Sequence, residues 1–578
     1  MNAASSALDP ITLEVIHNGL RSIADETYIA LMKSAYSTNI KERHDHSTAI
    51  MDARGRTVVQ AELTQTVHLN SMNGNVKTVL AEVPPKDIAE GDIFISNDPY
   101  AANGSHLPDV NFAMPVFVEG KLLAFVCNIA HHADIGGIAP GSMSSSMTEI
   151  YQEGLRLPMI RLFRRGELVE DVLKLILLNV RLPIERRGDY FAQVAACRLG
   201  ARRLQEFAQR YGHDLLKQAF GEIIDMTARR LRRAISAIAP GDYVFEDVMD
   251  DDGQGTLDLP LRLKLTIKGD RAVFDFAGTA KQGPGNINSP MNATESMVGY
   301  VLKALLDPEI PNNHGVLETF EVIAEPGSLV NPVFPAAVAY RAHTCQRVVD
   351  VVLGALAKAL PDRVLAASNG ANTTAIFSGT DPRTGKPYLY LETYGGGCGA
   401  RPTKDGKDGV QQHIANTANL PLEAIETEYP LLVEGYSFAP DSGGAGRNRG
   451  GLALRRMIRP VGHTCIFTGG GDRFRHQPWG LFGGKGGDTG SYVLVDEGGT
   501  PQRLSNKPPP TQVSPGHCLI VTSPGAGGYG PPSERRRDLL ALDLASGKFS
   551  EEFVRKHYGV GRRELAPALD DNAFDYEE

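Results

Sequence analysis

Near residue 240 the sequence changes its period. From Tyr190 to Ile238, apolar residues recur every three or four positions through "YFAQVAACRLGARRLQEFAQRYG" and "DLLKQAFGEIIDMTARRLRRAISAI", interrupted at Gly212. That spacing predicts two long amphipathic helices. After "APGDY", the segment "LRLKLTIKGDRAVFDFAG" alternates about Gly269-Asp270 and predicts a β-hairpin. The remainder is rich in glycine and short apolar runs, such as "SYVLVDEGG" and "HCLIVTSPGAGGYG", which read as strands with tight turns. At 578 residues the chain is too long for one compact core. The expected fold class is therefore α+β and multi-domain. Residues 1–240 should form an α+β part, 241–430 a mixed α/β middle, and 431–578 a β- and glycine-rich end.

Finer features follow the same rules. Leu13, Ile16, Leu20, Ile23 and Leu31 predict a helix from Leu13 to about Ala35, and a second should cover Met72–Ala81, before Pro84. "STAIMDARGRTVVQ" predicts paired strands about Arg54-Gly55, and "DIFISNDPY" a short strand. A further helix is expected over Val348–Leu360, and the acidic tail "DDNAFDYEE" should fray.

The net charge of −9 argues against nucleic acid as a partner, which needs a concentrated basic face. The run "RRLRR" sits among apolar residues at helical spacing and reads as a solvated helix face. The six cysteines are scattered, which suits a reducing compartment. "MNAASSALDPITLEV" lacks the basic and apolar regions of a signal peptide, and "VLKLILLNVRLP" is too short to span a bilayer. The expectation is a cytoplasmic protein without membrane contact.

Metal-competent side chains concentrate in the first third. "RHDHS" supplies His44, Asp45 and His46; "GSHLPDV" supplies His106 and Asp109; "AHHADIGG" supplies His131, His132 and Asp134. Imidazole and carboxylate together suit zinc, manganese or iron(II). His106 and Asp109 flank Pro108, so they belong to a turn, which either converges both on one ion or pairs them with each other. The apolar run "LLAFVCNI" predicts a buried strand leading into His131 and His132. Successive strand side chains face opposite ways, so only one of these histidines can face a given site, and parity does not say which. Arg341 and His343 should precede the helix of Val348, to bind an anion or to cap it. The stretches "GGGCGARP", "SGGAGRNRGG" and "GAGGYGPP" offer backbone N–H groups for an anion, or tight turns. None has the spacing of a phosphate loop, so this chain is not expected to bind ATP.

The segments "NIKERHDHSTAIMDARG", "NDPYAANGSHLPDVNFAMPVF", "HHADIGGIAPGSM", "ETYGGGCGARP", "DSGGAGRNRGG" and "PWGLFGGKGG" together resemble the hydantoinase B/oxoprolinase family. The likeness covers nearly the whole chain. It implies the B-type subunit of an ATP-dependent cyclic-amide hydrolase, acting on a hydantoin, oxoproline or lactam ring. Such a subunit works with a kinase-like A-type subunit that binds the ATP, as a heteromer arranged as a dimer of heterodimers. The alternative is a subunit of an acetone- or acetophenone-type carboxylase. The resemblance further implies one divalent metal, zinc or manganese, held by Asp45, His106, Asp109 and His131. His132 and Asp134 are then candidates to orient a ligand or move a proton, with Asp134 returning to the ligand's side if the strand breaks at Ala133. Arg43 either meets a transferred phosphoryl group or pairs with Glu42 or Asp45.

Overall fold

The computed structural model describes residues 8–565; the acidic tail lies outside the described residues. Its fold is mixed α/β with several sheets. The first sheet is built from β1 (His46–Asp52), β2 (Thr57–Gln60), β3 (Ile93–Ser96), β4 (Asp109–Val118), β5 (Lys121–His131), β6 (Ile160–Arg164) and β7 (Glu167–Leu168). Their order is β2-β1-β5-β4-β3-β6-β7, every pair antiparallel. From Leu123 to His131, β5 is buried on both faces, as a continuous apolar run requires.

Both faces are covered by helices. Ile50, Ala124 and Val126 pack against helices Pro10–Ser34 and Pro183–Tyr211. Ala49, Met51, Phe125, Cys127 and Ile129 point the other way, onto helix Leu69–Glu82. Each buried aliphatic or aromatic side chain contributes roughly 1.5–3 kcal/mol. A one-residue slip of β5 would turn all of them to the wrong layer, so the apolar alternation fixes its register.

The second sheet comprises β8 (Gly241–Asp251), β9 (Leu257–Lys268), β10 (Arg271–Asp275) and β11 (Phe320–Ile323), in the order β11-β10-β9-β8. The hairpin expected about Gly269-Asp270 is β9–β10. Leu261, Leu263, Leu265 and Ile267 face helices Met291–Leu306 and Arg341–Ala357. Two further sheets, one holding strands Thr374–Thr380 and Cys465–Gly470 and the other strands Leu454–Pro460 and Cys518–Thr522, share a core that includes Phe377, Tyr390, Phe467 and Tyr492.

Two expectations are corrected here. The helix placed at Val348 begins at Arg341, so Arg341 and His343 lie in its first turn instead of before it. Every residue of that helix is buried, charged ones included, which erases the polar face that marks a helix start. The glycine-rich stretches are neither anion cradles nor isolated turns. They interlock backbone to backbone, with Gly451 N donating to Cys398 O (2.9 Å), Ala400 N to Gly527 O (3.0 Å) and Gly444 N to Ala526 O (2.8 Å). A Cβ on Gly450 would stand 1.9 Å from Ala526 O, and one on Gly525 would stand 1.8 Å from Ser442 O. Only glycine permits that approach.

Candidate metal centre

The centre lies at one end of the first sheet, and strand register assembles it. His131 ends β5 and is paired with Asp109, the first residue of β4. On the other side β1 pairs His46 with Ala130, and His131 N donates to Asp45 O at 3.0 Å. Asp45, His131 and Asp109 thus stand in one row across three adjacent strands. Their parity is that of Phe125, Cys127 and Ile129, the face covered by helix Leu69–Glu82. The turn before β4 brings His106 back beneath Asp109.

Ligand atoms of His106, Asp109 and His131 all lie within 4.8 Å of one another, and all three residues are buried. His106 Nε2 faces Asp109 Oδ1 at 3.2 Å. His106 Nδ1 lies 3.1 Å from Ala339 O, an acceptor only, so Nδ1 carries the proton and donates it. Nε2 is then a lone pair. It and Asp109 Oδ1 are buried and have no hydrogen-bond partner. Two buried acceptors facing each other are repulsive unless a cation or a proton lies between them. The donor set, two imidazoles and a carboxylate, is one that zinc or manganese takes. The residues present therefore fit a divalent ion.

Electrostatics point the same way. Burial alone would raise the Asp109 carboxyl, but the Arg341 guanidinium beside it helps hold it well below the usual range. Burial pushes His106 and His131 down, so both rings are neutral near pH 7. Asp45 borders the same cavity without joining the tight group, and desolvation raises its carboxyl.

Residues around the group hold it in place. Arg341 Nη2 donates to Asp109 Oδ2 (2.5 Å) and to Ser105 Oγ (2.8 Å). Asn39 Nδ2 donates to His131 O at 2.6 Å and lies 3.1 Å from His131 Nδ1. Arg43 is fully buried and donates to Asn39 Oδ1, to Leu391 O (3.2 Å) and to Thr393 Oγ1 (2.6 Å). It bonds to neither Glu42 nor Asp45, contrary to the pairing considered from sequence.

The other candidates lie elsewhere. His132 points to the opposite face of the sheet, 2.8 Å from Gln193 Oε1 and stacked on Tyr190. Asp134 stays outside the cavity instead of returning to the ligand's side. It accepts from Gly136 N (3.0 Å), Gly141 N (3.2 Å) and Arg181 Nη1 (2.9 Å), because the chain turns away at Gly136 and Gly137 with φ of 94° and 81°. His46 stacks on Tyr28, also facing away.

Sequence reasoning missed His68. Its Nε2 stands 3.6 Å from Asp109 Oδ1, and its Nδ1 is 2.8 Å from Ser47 Oγ. Nothing in "TQTVHLNS" marks it, since the contact arises only when helix Leu69–Glu82 docks on β1 and β4.

A hydantoinase B/oxoprolinase model matches residues 9–532. The chain belongs to the hydantoinase B/oxoprolinase family. Caprolactamase subunit beta of Pseudomonas jessenii is 32% identical, over 96% of each chain. The crystal structure of ATP-dependent caprolactamase from that organism superposes with a TM-score of 0.90, covering 96% of each chain at 30% identity. Within the same family, 5-oxoprolinase 1 of Arabidopsis thaliana is 34% identical over 91% of this chain, which spans 42% of that protein. A nucleotide-free acetone carboxylase structure gives a TM-score of 0.89 at 20% identity, over 97% of this chain and 83% of the other, a likeness of fold alone. Among the described residues no helix is long and apolar enough to cross a membrane.

Proposed function

We propose that this chain is the metal-binding B-type subunit of an ATP-dependent cyclic-amide hydrolase, opening a hydantoin, oxoproline or lactam ring. It works with a kinase-like A-type subunit that binds the ATP and activates the ring amide, which resonance makes a poor electrophile. The assembly is a dimer of heterodimers. The observation that carries the reading is the unpartnered pair of acceptors, His106 Nε2 and Asp109 Oδ1, buried with His131 in a family whose named relatives include an ATP-dependent caprolactamase.

His106, Asp109 and His131 hold the ion, with Asp45 as the fourth ligand. When bound, zinc or manganese supplies a Lewis acid and a water of lowered pKa. The chain's own residues do the rest. Ala339 O fixes the His106 tautomer, Arg341 and Ser105 hold the Asp109 carboxylate, and Asn39 fixes the His131 backbone. Such partners orient ligands and tune their basicity. His132 acts through position alone, bracing the end of β5 against Gln193.

The test is to reconstitute the complex with its A-type partner. Lactam and hydantoin rings with ATP are assayed beside a ketone with bicarbonate, and bound metal is measured. Ring opening that depends on ATP and disappears in His106→Ala, together with the metal, is expected. Ketone carboxylation in place of ring opening, or full activity in a metal-free His106→Ala protein, would overturn the reading.

A further inference from the structure

Ser47 stands two residues beyond Asp45 in the sequence. Strand β1 pairs it with Ile129, so its side chain shares with Ile129 the face covered by helix Leu69–Glu82. The hydroxyl is fully buried between two groups. Gln65 N donates to Ser47 Oγ at 2.9 Å, and His68 Nδ1 lies 2.8 Å from the same oxygen. Gln65 uses the oxygen as an acceptor, so the hydroxyl hydrogen needs an acceptor of its own, and His68 Nδ1 is in reach. Were Nδ1 the donor instead, that hydrogen would be buried without a partner, at a cost in stability. Nδ1 therefore accepts, and the ring hydrogen stands on Nε2.

This tautomer sets His68 apart from its neighbours. His106 Nε2 and Asp109 Oδ1 are acceptors facing each other, whereas His68 lines the same cavity as a donor. A nitrogen that carries hydrogen offers no lone pair to an ion, so His68 is not a further ligand. Nor does the side chain serve the helix behind it. His68 is the residue before helix Leu69–Glu82, where a side chain often accepts from the first turn, and it makes no such bond. Its Nε2 is 3.6 Å from Asp109 Oδ1, longer than a hydrogen bond. The turn that carries the ring is well held. His68 N donates to Gln65 O (3.2 Å), and Gln65 Nε2 donates to His44 O (3.2 Å), beside Asp45. One ring nitrogen is thus committed to Ser47, and the other is left for a molecule in the cavity.

Resting on the function proposed above, we propose that His68 donates its Nε2–H to the oxygen of the amide that is opened. An amide presents one acceptor, that oxygen, and negative charge grows on it as the reaction starts. The oxygen of water bonds to the ring carbon and the C=O electron pair moves onto the amide oxygen. On collapse the pair returns, the C–N bond breaks and the nitrogen takes up a proton that came from water. His68 gives up no proton at any stage. A donor fixed in place by Ser47 stabilises the charged oxygen without reorganising.

The test uses two variants of the complex reconstituted with its A-type partner. His68→Asn keeps a side-chain oxygen for Ser47 but is too short to place a donor where Nε2 stands. His68→Gln is long enough to place one there. The asparagine variant should lose about 100- to 1000-fold in kcat, as expected when one oxyanion donor is removed, with KM little changed. The glutamine variant should recover at least about 10-fold of that loss. A purely structural role, bracing Ser47, predicts the reverse order, and either that order or wild-type kcat in His68→Asn overturns the proposal. His68→Leu, which also lacks the donor, serves if the asparagine variant melts early. Zinc or manganese affinity, measured by equilibrium dialysis, should match wild type in every folded variant. A fall of about 10–100-fold would make His68 a ligand or a partner of Asp109, and would overturn the proposal too. An active wild-type complex with an unimpaired His68→Asn variant condemns the role of His68 alone. A wild-type complex inert towards every ring condemns the proposed function, and the role of His68 with it.

Discussion

Two adjacent histidines should respond to the same substitution in opposite ways. His131→Ala removes a ring from the tight group of three; His132→Ala removes one on the other face of the sheet. Burial pushes His132 down to about 4, so at pH 7 the ring is neutral, bonded to Gln193 Oε1 and stacked on Tyr190 with centroids 4.5 Å apart. Its loss leaves that buried oxygen unpaired, at about 1–3 kcal/mol, and forfeits a ring contact of roughly 0.5–1.5 kcal/mol. The expected destabilisation is therefore about 2–4 kcal/mol, with metal content unchanged. His131→Ala deletes a ligand, so its metal affinity should fall by more than the roughly 10–100-fold seen when a ligand's outer partner is lost. Elemental analysis after gel filtration gives metal per chain, and urea unfolding gives stability. A His132→Ala protein that is folded but empty, beside a His131→Ala protein that keeps its metal, would refute the register on which the site is built.

Other residues give sharper readings of the same site. Asn39→Ala should weaken metal binding by about 10–100-fold without changing stoichiometry at saturation, measured by equilibrium dialysis; unaltered affinity would show that Asn39 does not hold His131. Arg341→Met leaves the buried Asp109 carboxylate without its cation and should cost about 3–5 kcal/mol in metal-free protein. Added zinc or manganese should recover much of that loss, and no recovery would argue against an ion at Asp109. Away from the centre, burial pushes Glu153 up to about 8, and its Oε1 accepts from Val338 N and Ala339 N. The native state then keeps a proton that the unfolded chain releases near 4.5, so this group's stability contribution is full below that pH and is lost as pH rises through 8. Glu153→Gln should flatten the fall in urea midpoint between pH 5 and 8; an identical pH slope in both proteins would sink that account.

What the sequence revealed, and what it hid, divides according to how far apart the cooperating residues lie. The helix begun at Leu13, the strands about Arg54-Gly55, the break at Gly212 and the β9–β10 hairpin are written in local periodicity, and each stands where its spacing put it. Helix Met291–Leu306 was invisible because Asn292, Thr294, Glu295 and Ser296 interrupt its apolar repeat; two of these, Thr294 and Ser296, are buried, with hydroxyls bonded to backbone carbonyls. The centre follows the same logic. Parity alone said that His131 and His132 must part company, and the choice between them needed the register of β5 against β1 and β4, which no local pattern encodes. His68, Asn39 and Arg341 come from three other segments, and their relevance exists only once Asp109 and His131 are in place. Short-range chemistry thus names the ligand types, while long-range register decides which copies converge. A one-residue slip of β5 would keep every local signal and exchange the two histidines between the faces of the sheet.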